Sequence, residues 1–170
     1  MLKQRPKPAP FYTAANLSTQ SSVGYLMKQA VSSIRKQADT GLAEHDLTYA
    51  LWQPLYKVYR EPGHSAATLA RELDMDPPTV TRSLDRLEAK GLLLRERSSA
   101  DRRIINLTLT PEGRQAASRV PQVLAEVLNG HLSGFTAEEW QTLVQLLQRM
   151  VANGEAIRAT SPAPAPGARE

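Results

Sequence analysis

The sequence has 170 residues, of which 41% are hydrophobic and 22% charged, so it can bury a core and is too apolar for wholesale disorder. Lys and Arg number 21 against 17 Asp and Glu, and the net charge of +4 suits partners with negative surfaces, nucleic acid first among them. There is no cysteine, which excludes disulfides, cysteine nucleophiles, thiolate metal sites and thiol redox sensing.

Residues 1–10 are basic and proline-rich and lack the apolar stretch of a secretory signal. No apolar run approaches the roughly 20 residues needed to span a bilayer, so the expectation is a cytoplasmic protein with no membrane partner. Pro6, Pro8 and Pro10 at one end and Pro162, Pro164 and Pro166 at the other mark two segments unable to sustain a helix. Residues 1–15 and 158–170 are therefore expected to be disordered tails around a folded span of 16–157.

In chain order, Val23, Leu26, Met27, Ala30 and Ile34 repeat at helical spacing, and Gly41 is a plausible stop. A second helix should open at Thr48 and carry Leu51, Leu55 and Val58, with Pro54 bending or shortening it. Glu61, Pro62 and Gly63 break the pattern. Ser65 then caps a short helix through Leu69, Ala70 and Leu73. After a turn at residues 74–76, Asp76 followed by Pro77 starts a helix that runs to Lys90 and stops at Gly91. Apolar residues 92–94 and 104–109 flank a charged stretch and read as a β-hairpin. Pro111, Glu112 and Gly113 open a long helix with a kink at Pro121. Thr136 and Glu139 form a capping box for a last helix whose Trp140, Leu143, Leu147, Met150 and Val151 share one stripe.

The fold class is mainly α with a small β-hairpin wing. It is a winged helix-turn-helix domain, with its DNA-binding lobe at about 46–110, plus a helical dimerisation region at about 18–40 and 112–157. The outer helices are too long and too apolar for so small a middle to cover, and a second copy of the chain is the natural cover.

On a helical wheel Val80, Leu84 and Leu87 cluster on one side of the helix after Asp76. Arg82 and Arg86 lie opposite, one turn apart, with Thr79 and Thr81 on the flanks. A major groove admits such a helix, arginine can donate twice to guanine, and a threonine methyl can meet a thymine methyl. An ordinary solvated helix with salt-bridging arginines has the same pattern; the short helix and turn before it favour DNA reading. In the hairpin, Arg95, Arg97, Arg102 and Arg103 fall within nine residues, which suits a narrow, electronegative minor groove, although a charged loop kept for solubility looks similar. A free Asp101 would repel phosphate there, so it is expected to accept from Arg95 or Arg103 and hold the wing's shape.

The run TVTRSLDRLEAKGL at residues 79–92, then Arg95, then Asp101, Arg102 and Arg103, then LTLTPEG at residues 107–113, is similar to the signature of MarR-family transcriptional regulators. The resemblance spans essentially the whole folded part. It implies a triangular homodimer whose terminal helices interlock and whose two winged lobes meet successive major grooves of a pseudo-palindromic operator. It implies Arg103 at the wing tip in the minor groove, and repression relieved by a small aromatic carboxylate or phenolic effector. By position, Met27, Arg35, Trp52 and Tyr56 are the candidate effector contacts. Trp52 and Tyr56 lie four apart on one face, a spacing that core packing also produces.

His45, His64 and His131 are far apart and are expected to be surface or capping residues, with no metal or cofactor. No phosphate loop, nucleophile elbow or paired-carboxylate arrangement suggests an enzyme. The expected function is a homodimeric, sequence-specific DNA-binding transcriptional regulator, a ligand-released repressor. An architectural DNA-binding protein without an effector is the alternative.

Overall fold

The structure is a computed structural model that describes residues 11–18, 20–97 and 105–160. Its elements are α1 (Val23–Ala43), α2 (Tyr49–Arg60), α3 (Ala66–Glu72), α4 (Pro77–Ala89), β1 (Leu93–Arg97), β2 (Ile105–Leu109), α5 (Pro111–His131) and α6 (Ala137–Thr160). The fold is mainly helical with a two-stranded antiparallel hairpin, as the sequence pattern implies. The chain divides into two compact units, one ending at Leu128 and the other beginning at Asn129.

In the first unit each helix start has a local cause. The Ser22 hydroxyl accepts from the Tyr25 amide, Ser65 from Thr68, and Asp76 from Thr79, each relieving an amide that a first helical turn leaves without a partner. The Tyr12 hydroxyl accepts from the Val23 amide at 2.9 Å, and Thr13 and Asn16 close a turn, with the Thr13 amide 2.6 Å from Asn16 Oδ1. Residues 11–15, expected to belong to a disordered tail, thus contribute to the start of α1. Gly91 at φ +68° ends α4 in the left-handed region, where a residue without Cβ pays no steric penalty.

The core gathers Leu42, Leu47, Leu51, Leu55, Leu69, Val80, Leu84, Leu87, Leu93, Leu107 and Val120 from α1 to α5, the hairpin and the turn after α1. Val80, Leu84 and Leu87 are the inward side of α4 foreseen from the wheel. Leu93 pairs with Leu109 and Arg95 with Leu107, so the alternation of β2 turns Leu107 and Leu109 inward.

Two expectations about helix ends change. Gly41 does not end α1, which continues to Ala43. A Cβ at Gly41 would meet Val123 Cγ1 at 2.8 Å, so the glycine permits α1 and α5 to cross closely. Pro54 neither stops nor shortens α2, which runs on to Arg60. Proline removes the donor that would serve the Ala50 carbonyl one turn back, and the buried Ser83 hydroxyl of α4 approaches that carbonyl at 3.5 Å. Helix α5 contains Pro121, the position expected to kink, and runs to His131.

In the second unit Gly134 at φ +87° turns the chain. Thr136 and Glu139 then make the expected capping box: the Thr136 amide donates to Glu139 at 2.9 Å and the Glu139 amide to the Thr136 hydroxyl at 3.2 Å. Helix α6 extends to Thr160, three residues into the expected tail, and buries none of its residues. Trp140 is 48% and Val151 60% exposed, and Leu143, Leu146 and Met150 are exposed too. No described helix is long and apolar enough to cross a membrane.

Candidate nucleic-acid interface

Helices α3 and α4 and the hairpin form a helix-turn-helix followed by a wing. The turn depends on Asp74 at φ +50°, a left-handed conformation that Asp tolerates better than most residues. From it, α4 presents Thr81, Arg82 and Arg86 to solvent, with Thr79 half-buried beside them. The structure therefore places the four α4 candidates together on the outer side.

The two threonines are less available than their exposure suggests. The Thr81 hydroxyl donates to the Pro77 carbonyl at 2.9 Å, which leaves its methyl as the outward feature. Thr79 accepts from Arg82 Nη2 at 2.9 Å. Hydrogen bonds from the Thr79 hydroxyl and then its amide hold the Asp76 carboxyl below the usual carboxylate range, with Arg82 assisting by charge. Asp76, Thr79 and Arg82 thus form a relay that fixes the start of α4 and lays the Arg82 guanidinium along its surface.

Arg95 has partners other than the one anticipated. On β1, its Nη2 lies 2.6 Å from Asp85 Oδ1 and its Nη1 3.3 Å from Glu88 of α4. The expected acceptor Asp101 lies outside the described residues, as do Arg102 and Arg103. Arg97 is at the end of β1, paired in register with Ile105, and its side chain is not described. The contact made by Arg95 fastens the wing to α4 and neutralises two carboxylates of that helix. Asp85 and Glu88 lie three apart on one turn of α4, and helical spacing alone does not show that they anchor a strand residue. Lys90, the last cap of α4, pairs with Asp46 in the turn after α1, a link of 44 residues that spacing could not suggest.

Of the four effector candidates, Arg35 and Trp52 meet at the Tyr49 ring, and Tyr56 and Met27 make other contacts or face solvent. The Arg35 guanidinium lies 5.9 Å from the centre of the Tyr49 ring, and Trp52 meets the same ring edge-on at 6.2 Å. Tyr56 lies against Tyr59 at 6.0 Å, and Met27 is on the exposed side of α1. Trp52 and Tyr56 also pack on the core. The Trp52 indole N–H is buried with no hydrogen-bond partner among the described residues. A cavity of about 760 Å³ lies elsewhere, lined by Gly41, Glu44, Asp46, Lys90, Arg119 and Val123 among others, and includes none of the four. His64, expected at the surface or as a cap, is buried and bonded on both ring nitrogens.

This combination of a short helix, a tight turn, an arginine-bearing second helix and a hairpin wing defines a winged helix-turn-helix protein. The family model of the MarR family matches residues 47–105, the span of that lobe. A protein of Thauera aromatica assigned to transcriptional regulation of the hcr operon is 30% identical over 153 residues, 88% of this chain and 92% of that protein. Reduced MarR of E. coli is similar at 25% identity and a TM-score of 0.67, over 76% of this chain and 96% of that one. BpsR of Bordetella bronchiseptica, whose DNA binding is regulated by 6-hydroxynicotinic acid, shares the fold at 24% identity and a TM-score of 0.71, over 79% of this chain and 96% of that one. The chain belongs to the MarR family, and is a transcriptional regulator rather than an enzyme.

Proposed function

We propose that the protein is a homodimeric, sequence-specific DNA-binding repressor released by a small aromatic or anionic ligand. The observation that carries DNA reading is the outer side of α4. Arg82 and Arg86 stand exposed one turn apart, while Arg95 takes up the acidic Asp85 and Glu88 between and beside them. The face so formed is cationic, rigid and of a shape that fits a major groove. Arg97, Arg102 and Arg103 of the wing are assigned to the adjoining minor groove.

A second copy is the proposed cover for the apolar side chains left exposed on α1 (Val23, Leu26, Val31) and on α6 (Trp140, Leu143, Met150, Val151). A two-fold dimer pairs with a pseudo-palindromic site of two half-sites. For the effector, the unpartnered Trp52 N–H and the nearby Arg35 offer a hydrogen-bond donor and a cation beside aromatic rings, chemistry that suits an aromatic acid. The regulation of BpsR by 6-hydroxynicotinic acid supports that ligand class.

The test is selection of a DNA site by the full-length chain, followed by comparison of Arg82→Ala on that site and on random duplex. A loss of about 1–3 kcal/mol on the selected site with little change on random DNA is expected. Equal losses on both would show that Arg82 holds phosphate and does not read sequence. Aromatic acids added to the DNA complex test release, and failure of all of them would favour the architectural alternative.

A further inference from the structure

Around the turn where α2 hands over to α3 lies a cluster that the proposed DNA reading does not use. It comprises Lys57 near the end of α2, Glu61 and His64 in the following turn, and Glu72 at the end of α3. We propose that Glu61, His64 and Glu72 form a binding site for a divalent first-row transition-metal ion, with zinc the best match. This proposal is independent of the effector reading.

The argument begins with the histidine. His64 is 7% exposed, so its ring is held in one orientation. Its Nδ1 lies 2.5 Å from the Glu61 carbonyl oxygen. A carbonyl can only accept, so Nδ1 carries the hydrogen. In the neutral ring Nε2 then presents a lone pair. This is the arrangement by which proteins orient a histidine ligand: one nitrogen donates to a backbone carbonyl and the other is aimed at the metal. Nε2 is aimed at two carboxylates, 2.9 Å from Glu72 Oε2 and 3.7 Å from Glu61 Oε2. A ring nitrogen and a carboxylate oxygen 2.9 Å apart need a positive centre between them, which is a proton on Nε2 donating to Glu72 or a metal ion that displaces that proton. Zinc bonds of about 2.0–2.2 Å in tetrahedral geometry separate neighbouring donors by about 3.4 Å, between those two distances. The three ligand atoms all lie within 4.8 Å of one another.

Lys57 is the second observation. Its Nζ lies 2.7 Å from Glu61 Oε1 and 3.1 Å from Glu72 Oε2, so a cation already bridges both carboxylates. It is carried on a flexible stem that can swing away. The two carboxylates carry −2, which a divalent ion in place of the ammonium and of the Nε2 proton would balance. The Glu72 carboxyl is held below its usual range by His64 and then Lys57, so it is already in the ligating form. A bound ion would join the end of α2, the intervening turn and the last residue of α3.

The decisive measurement uses the full-length, tag-free protein stripped by a chelator and titrated with zinc chloride against a chromophoric competitor, with thermal melts in parallel. One zinc per chain and a higher Tm with zinc are expected. Glu72→Gln keeps the side-chain shape but loses the charge, and should weaken zinc binding at least tenfold. Lys57→Gln removes the competing ammonium and should tighten it several-fold. A purely structural ion-pair cluster makes the opposite prediction for Lys57, whose loss would then weaken the fold without any gain in zinc affinity. Absence of saturable zinc binding, binding unchanged in Glu72→Gln, or affinity not increased in Lys57→Gln would each overturn the proposal. Should Glu72→Gln fail to fold, the exposed Glu61→Gln replaces it, with the same tenfold weakening expected.

Discussion

Replacing Gly113 with alanine is a demanding test of the packing described here. Gly113 is in the first turn of α5, where alanine would ordinarily favour the helix by about 1 kcal/mol. A Cβ built there lies 1.8 Å from the Leu92 carbonyl oxygen and 2.8 Å from its carbon. The obstacle is backbone, so rotamer changes give no relief, and the two segments must part by about 1.2 Å to reach the 3.0 Å below which real Cβ contacts are essentially never found. That movement disturbs one junction. The Thr110 hydroxyl donates to the Gly91 carbonyl at 2.7 Å and accepts from the Gly113 amide at 3.0 Å, and the Thr110 amide reaches the Leu92 carbonyl at 3.3 Å. Leu92 and Leu93 beside it are buried. Overpacking and loss of this cap together should cost about 3–4 kcal/mol, or roughly 10 °C in Tm. Gly130→Ala, where a Cβ meets nothing within 4 Å, should instead raise stability by about 0.4–1 kcal/mol. Thermal melts of both variants at equal protein concentration are the assay. A Gly113→Ala protein as stable as the parent would refute the close approach of α5 to the β1 start.

Arg95→Met keeps the aliphatic stem but releases Asp85 and Glu88 towards the DNA-facing side, and should reduce DNA affinity about tenfold, measured by fluorescence anisotropy. Asp85→Asn should act through the same contact, so the double variant should be no weaker than Arg95→Met alone; simple additivity would argue against the clamp. Ser83→Ala should destabilise by up to about 1 kcal/mol because the Ala50 carbonyl loses its substitute donor, and the cost should shrink in a Pro54→Ala background that restores the helical one. The folded-state depression of Glu72 and Asp76 also has a definite sign. Their contribution is present above the ordinary carboxylate value of about 4 and is lost as pH falls through their lower folded values. Tm should hold from pH 7 to 5 and decline below about 4, less steeply in Asp76→Asn, whose amide still caps; a Tm that rises on acidification would contradict this.

Sequence alone decided what is local. Ser65, Asp76 and the Thr136–Glu139 box cap their helices because a first turn's unmet amides need acceptors within three residues, and chain spacing supplies them. The outward side of α4 was legible for the same kind of reason, since Val80, Leu84 and Leu87 repeat at the helical period and leave Arg82 and Arg86 opposite. Tertiary structure decided whatever depends on two distant segments touching. Pro54 reads as bending or shortening its helix until Ser83, 29 positions on, reaches the carbonyl it leaves unserved. Gly41 reads as a stop until Val123 closes on it. Arg95 reads as a residue that shapes the wing beside Asp101 until the hairpin folds it onto Asp85 and Glu88. His64 reads as a solitary surface histidine until α3 returns Glu72 beside it, because periodicity records which side of a helix is buried but not what buries it.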